Sequence, residues 1–156
     1  MKAQGKMNII LIYSDRRTVI YWMILMQTIP IYNDSHAIVA AYHGHQLARK
    51  LGFSLVDQTA ISTAILEVAR NIVKYAYGGE VTLEVIYRDD TLALFVTAKD
   101  KGPGIHDLEL ALTDGFSTGK SLGLGLPGAR RLMSAFEIES VPGYGTTVRL
   151  QKWKQA

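Results

Sequence analysis

Residues 114–128 read DGFSTGKSLGLGLPG, and two nucleotide-binding patterns compete for them. GFSTGKS resembles a phosphate-binding P-loop, while glycines 123, 125 and 128 keep the spacing of a dinucleotide-binding turn. A P-loop needs four residues between its first glycine and the Gly-Lys pair. Only three separate Gly115 from Gly119, and the residue one step earlier is Asp114. A P-loop also leaves a buried strand directly, whereas LELALTDGF upstream has the pattern of a helix end and a turn. The dinucleotide turn fails on the same ground, because STGKS is no strand. The glycines therefore belong to another kind of loop that opens a helix, and their role depends on the segments folded beside them.

The chain has 156 residues, 48% of them apolar, enough for one domain with a substantial core and too few for two. A net charge of +3 without a concentrated basic patch gives no support to nucleic-acid binding. The absence of cysteine excludes disulfides, thiolate metal sites and a cysteine nucleophile. The N-terminal runs NIILIY and TVIYWMILM are interrupted by SDRR, and neither approaches the roughly 20 residues of a membrane span. No small-residue cleavage site follows them. Residues 1–26 are expected to be an extension, either an extra packed element or the product of a start placed upstream of Met23 or Met26. Residues 27–156 are expected to form the domain proper.

From Gln27 the pattern becomes regular. QTIPIYN alternates Ile29 and Ile31 as a strand does, and Pro30 suggests an edge position. Asp34 or Ser35 is expected to cap a helix to Lys50, with Gly52 as its stop. Asp57 is expected to cap a second helix reaching the Gly78-Gly79 pair, with Ile61, Ile65, Val68, Ile72 and Tyr75 as its apolar stripe. Val81, Leu83 and Val85 alternate in one strand and Leu92, Leu94 and Val96 in the next, with Asp89-Asp90 as the hairpin between them. A short helix is expected near 107–112 and a longer one from about Leu126 to Phe136. Two strands, FEIESV and TTVRLQKW, follow around PGYG.

Two elements give the glycine-rich segment a context. Glu67 and Asn71 lie four apart on the second helix and so share a face. A carboxylate beside an amide oxygen can hold a proton acceptor next to a ligand for a hard cation such as Mg²⁺. The pair alone reads first as a solvated polar helix edge. DKGPG, residues 100–104, comes directly after a strand. A carboxylate there can accept a hydrogen bond from a buried amino group, and the glycines allow close backbone approach. By itself it reads as an ordinary turn.

The order is a helix with Glu and Asn four apart, a strand ending in DxGxG, a glycine-rich loop opening a helix, and GxGT near the C-terminus. Together these resemble the Bergerat-fold (GHKL) ATPases and kinases, and most closely the small stressosome switch kinases of RsbT type, relatives of the anti-sigma-factor serine kinases. The resemblance runs from about Gln27 to Trp153 and rests on AISTAILEVARNIVKYA, DKGPGIHDLELALTDGFST and LGLGLPGARRLMSAFEIESVPGYGTTV. It implies an α/β two-layer sandwich, a mixed and mostly antiparallel sheet with helices on one face. It also implies ATP with Mg²⁺. Asn71 would hold the Mg²⁺ bridging the phosphates, and Glu67 would be the general base. Asp100 would read the adenine amino group, with Gly102 and Gly104 shaping the base pocket and Thr146 supporting it through water. The ATP lid would run from about 113 to 122 and include Ser117, Thr118, Gly119 and Lys120. Gly123 and Gly125, flanking Leu124, would let helix-start amides meet the phosphates. Lys74 would touch a phosphate or remain solvated. Lys120 and Leu124 depart from the small residues usual at those places in the switch kinases.

The histidines add little. His43 and His45 are two apart on a helix, face different ways and make a poor metal pair. Trp22 and Trp153 read as core or edge residues, and Arg130 and Arg131 as solvated helix charges. The expected function is a cytoplasmic serine/threonine protein kinase and partner switch. It would phosphorylate a STAS-domain scaffold and then engage a second regulatory target, with no nucleic-acid or membrane partner. The rival expectations are an anti-sigma factor kinase and a non-catalytic module that binds ATP to set its shape. A histidine kinase fragment is disfavoured, because no helix pair with an acceptor histidine precedes the domain.

Overall fold

In a computed structural model, residues 10–12, 21–88, 90–114 and 125–156 are described, with side chains from residue 26 onward. The strands are β1 (Ile10–Ile12), β2 (Tyr21–Ile31), β3 (Gly79–Arg88), β4 (Thr91–Asp100), β5 (Ala135–Val141) and β6 (Gly145–Trp153). The helices are α1 (Asp34–Lys50), α2 (Leu55–Tyr75), the short α3 (Leu108–Ala111) and α4 (Gly125–Leu132). The strands form one sheet in the order β1-β2-β3-β4-β6-β5. All its described ladders are antiparallel, so the parallel component that a mixed sheet would carry is not among them.

Alternation puts one face of this sheet in the core. Val81, Leu83 and Val85 of β3, Leu94 and Val96 of β4, and Val148 and Leu150 of β6 are buried. Their neighbours Glu84, Lys99 and Arg149 point the other way, as the two-residue period of a strand requires. The helices cover the apolar face. Ile61, Ile65, Val68 and Ile72 of α2 and Ala37, Ala40, Ala41 and Ala48 of α1 join the same cluster, with Leu126 and Ala129 of α4. Tyr75, expected on that stripe, is instead 49% exposed at the last residue of α2.

Both helix caps lie upstream of the expected residues. Asn33 caps α1, its side chain accepting the His36 N–H at 3.0 Å. Its extended backbone, continuing from β2, gives it the geometry an N-cap needs, and Asp34 already lies inside the helix. Ser54 caps α2, accepting the Asp57 N–H at 3.1 Å. Asp57 serves instead as an ion-pair partner of Lys152, 3.1 Å away, with both side chains largely shielded. Lys152 also donates to the Leu132 carbonyl at 2.9 Å, so this one cation joins α2, β6 and the end of α4.

Helix α2 stops at Tyr75, short of the glycine pair, because Ala76 is extended and Gly79 already pairs with Asp100 in the sheet. Helix α4 is shorter than expected for a similar reason. Ala135 and Phe136 pair with Gln151 and Leu150 as the start of β5. At the other end of the chain, β2 begins at Tyr21, and Trp22, Met23 and Leu25 pair with Tyr87, Ile86 and Val85. Pro30 lies beyond the reach of β1, where β2 is paired only with β3 among the described residues. The β3–β4 hairpin turns between Arg88 and Thr91, with Asp90 at φ 60°. The Tyr87 hydroxyl donates to the Asp90 carboxylate, and this bond raises the Tyr87 pKa above its ordinary value.

Candidate functional site

A cleft of about 1380 Å³ opens between α2 and the ends of β4 and β6. Glu67, Asn71 and Lys74 line it from α2, Asp100 and Gly104 from the end of β4 and the loop beyond, Thr146 from β6 and Gly125 from α4. The helix places Glu67 and Asn71 on its cleft-facing side one turn apart, as their spacing requires. Val68 and Ile72, beside them, are buried in the core and hold that side in register.

Glu67 is one of only two buried polar residues in the described core, 7% exposed. Its Oε2 accepts the Gly125 N–H at 3.0 Å. A buried carboxylate needs such a donor, since desolvation without one would be costly. The amide that the resemblance assigns to a phosphate is thus directed at Glu67 in this arrangement. Gly125 itself has φ 64°, the left-handed region that L-residues avoid, and among the described residues an added Cβ would meet Pro127 Cδ, at 3.6 Å. The backbone conformation by itself favours glycine here.

Asp100 closes the other end of the cleft. Its Oδ1 accepts the Gly102 N–H at 2.8 Å and the Thr146 N–H at 3.3 Å. The two amides fix the carboxylate's orientation and leave Oδ2 as its second acceptor. Gly104 has φ 74°, and a Cβ there would lie 2.5 Å from the Val141 carbonyl oxygen, so the loop can press against the β5–β6 turn only with glycine. The Gly143 N–H donates to the Pro103 carbonyl at 2.7 Å and secures the same contact.

Lys74 lines the cleft, but its ammonium lies 5.0 Å from the Tyr75 ring centroid, a cation–π position. Ser117, Thr118, Gly119, Lys120, Gly123 and Leu124 lie outside the described residues. The sequence pattern missed three participants. Arg131 lines the cleft and is paired with Asp114 at the foot of the segment 115–124. Thr63, one turn before Glu67, extends the same helix face into the cleft. Ser140 bonds the Thr146 hydroxyl at 2.8 Å, a contact that only the hairpin register around PGYG could have revealed.

Residues 56–156 match the family described as histidine kinase-, DNA gyrase B-, and HSP90-like ATPase. The chain belongs to this ATPase family. It is 47% identical over 117 residues to the serine/threonine-protein kinase RsbT of Bacillus subtilis, covering 74% of this chain and 88% of RsbT. That relationship puts it on the RsbT-like kinase branch of the family. An anti-sigma F factor of Caldanaerobacter subterraneus subsp. tengcongensis is 32% identical over 129 residues, 78% of this chain and 85% of that protein. Among solved structures, a Mycobacterium tuberculosis protein comprising RsbU and RsbW domains aligns with a TM-score of 0.53 and 19% identity. The alignment spans 83% of this chain and 33% of that longer one, and it speaks to the fold alone. The GHKL sandwich therefore carries Glu67, Asn71, Asp100 and Thr146 around one cleft. None of the helices among its described residues is long and apolar enough to cross a membrane.

Proposed function

We propose that this chain is an ATP- and Mg²⁺-dependent kinase that phosphorylates a serine or threonine on a STAS-domain partner and acts as a partner switch. The observation carrying this reading is the buried Glu67 carboxylate, held by the Gly125 amide on the same cleft face as Asn71 and across the cleft from Asp100. The residues fit the nucleotide. The Asp100 carboxylate is oriented by two amides, and the loop at Gly104 closes on a turn that a side chain would displace. No group of three or more His, Asp or Glu among the described residues converges on a metal position. Asn71 would therefore share the cation with phosphate oxygens and water, the usual habit of Mg²⁺.

Asp100 accepts the amino hydrogen of the base at Oδ2, while Thr146 supports the ring edge beside it. Asn71 offers its amide oxygen to the cation from the next turn of α2 after Glu67. Bound MgATP supplies the phosphoryl group and neutralises charge as it transfers, a reaction that asks the protein mainly for positioning. Glu67, with Oε2 occupied by the Gly125 N–H, takes the proton of the acceptor hydroxyl at Oε1. The anti-sigma F factor relative supports a second reading, in which the same site phosphorylates an antagonist while the chain sequesters a sigma subunit.

Single-turnover transfer to a purified STAS-domain acceptor, with ATP affinity measured in parallel, tests the proposal. Glu67→Gln keeps the acceptor for Gly125 and removes the base. Transfer should slow by about 10²–10⁴-fold with ATP affinity within a few-fold of wild type. Wild-type rates from Glu67→Gln would remove it from the chemistry. No transfer by the wild type, with ATP and acceptor bound, would leave a non-catalytic switch.

A further inference from the structure

We infer that the outer face of α1 pairs with the same face of a second copy of this chain, the two helices running antiparallel about a twofold axis near Tyr42. The inference stands apart from the nucleotide reading and rests on how α1 distributes its side chains. The inner face of α1 is built from Ala37, Ala40, Ala41, Gly44 and Ala48, all buried. These small residues let α1 lie close on α2, so close that a Cβ at Gly44 would collide with Ile65 Cδ1. Three bulkier apolar residues are turned outward instead: Ile38 is 56% exposed, Val39 44% and Tyr42 60%. A surface helix ordinarily directs its large apolar side chains to the core and its polar ones to water.

The outer stripe is continuous. At 100° per residue, Ser35, Ile38, Gln46 and Arg49 lie within about 40° of Tyr42, and Val39 about 60° from it. It is also held in place. The Tyr42 ring stands edge-on to the His43 ring with centroids 6.2 Å apart, and His43 Nδ1 lies 3.0 Å from Gln27 Nε2 of β2. An exposed tyrosine braced in this way loses little freedom when a partner covers it. The charges select the occupant. Asp34 lies in the first turn of α1, Arg49 and Lys50 lie in the last, and none of the three is in an ion pair among the described residues. Asp34 comes eight residues before Tyr42 and Arg49 seven after it, on the same flank of the stripe. A twofold axis at Tyr42 therefore sets each Asp34 beside the Arg49 of the other copy, whereas a parallel pair would set like charges together. The face is complementary to itself, as a closed dimer requires. Two helices of 17 residues offer less area than the roughly 1,200 Å² of a standard interface, so the association is weak.

Sedimentation equilibrium of the full chain from about 1 to 200 µM, with melting temperatures read in parallel, tests the inference. The wild type should pass from monomer to dimer with a Kd of tens of micromolar. Tyr42→Asp sets two carboxylates against each other at the axis and should raise Kd by about 10-fold or more. Asp34→Arg and Arg49→Asp each set like charges opposite and should raise it by about 5-fold. The double variant exchanges the two charges and should return Kd to within about 2-fold of the wild type. These side chains are exposed, so melting temperatures should stay close to that of the wild type. If Tyr42→Asp does not fold, Tyr42→Ser and Ile38→Ser should each still weaken the dimer. A wild type that stays monomeric at the highest concentration would overturn the inference and leave this face to a different protein. A dimer unmoved by substitutions at Tyr42 and Ile38 would overturn it by placing the contact elsewhere. Single charge variants that weaken the dimer with no recovery in the double variant would overturn the antiparallel arrangement, and assembly beyond the dimer would show a contact that does not close.

Discussion

Asp100→Asn is the substitution whose effect the geometry determines most closely. Both amides that hold the carboxylate converge on Oδ1, from Gly102 at 2.8 Å and Thr146 at 3.3 Å. An asparagine has one acceptor oxygen and one donor nitrogen at the same place. The two backbone N–H groups would claim the oxygen, because turning the NH₂ toward them would set donors against donors. The Nδ2 would then occupy the Oδ2 position and face the amino group of the base, again donor against donor. Folding should survive, since both backbone amides keep an acceptor. Binding loses one charge-assisted hydrogen bond and gains an unpaired donor, together about 1.5–3 kcal/mol. ATP affinity should accordingly fall by about 10–100-fold. The measurements are equilibrium ATP titration and the melting temperature without nucleotide. Wild-type ATP affinity in a folded Asp100→Asn protein would refute the placement of the base at Oδ2. A collapse in melting temperature would show instead that the carboxylate's charge, not its geometry, holds the loop.

Three further outcomes are expected. Gly125→Val should weaken nucleotide binding and lower stability by roughly 1–2 kcal/mol, the cost of a left-handed L-residue, whereas Gly125→Asn, which tolerates that φ, should cost clearly less. Equal losses from the two variants, by titration and thermal melting, would show that crowding and not φ decides the position, where Pro127 is the neighbour among the described residues. Lys120→Ala should change ATP affinity by no more than a few-fold, since the P-loop spacing fails, and loss of binding would revive it. A chain starting at Met26 should keep ATP binding but melt lower, because it loses the pairing of Trp22, Met23 and Leu25 with β3. The shift at this chain length is about 2–4 °C for each kcal/mol lost.

What could be read from the sequence followed from local periodicity. The i, i+4 spacing of Glu67 and Asn71 placed both on one helix face, and the alternation in β3 and β4 identified the buried face of the sheet. The errors arose where two local signals were equally good and tertiary structure chose between them. Asn33 and Asp34 are both fit to cap a helix, and the extended exit of β2 selected Asn33. Ala135 and Phe136 suit a helix end as well as a strand start, and pairing with Gln151 and Leu150 settled the matter. TVIYWMILM is apolar without period, so the start of β2 at Tyr21 had no sequence signal. Ser140 was illegible for another reason: its partner lies six residues on, and only the hairpin register brings them together.

The polar groups of the cleft are divided between a stiff scaffold and one backbone joint. Asn71 and Glu67 ride on a helix of 21 residues whose opposite side is buried, while Asp100 and Thr146 sit at the ends of adjacent, fully paired strands. None of these can move far without breaking core packing. The Asp100–Thr146 bond joins two strands of the sheet, whereas the bond of Glu67 runs to a helix start, through the Gly125 amide. That amide follows directly after residues 115–124 in sequence, and Asp114, which precedes them, is paired with Arg131, six residues farther along α4. The Gly125 amide thus ties the start of α4 to the α2 carboxylate proposed as the base, and the Arg131 pair ties Asp114 to α4. On the proposed reading, a displacement of Gly125 acts on the proton acceptor, whereas Asp100 and Thr146, bonded to each other within the sheet, are insulated from it. If the proposed roles hold, recognition of the base and readiness for proton transfer fall to different parts of the same cleft.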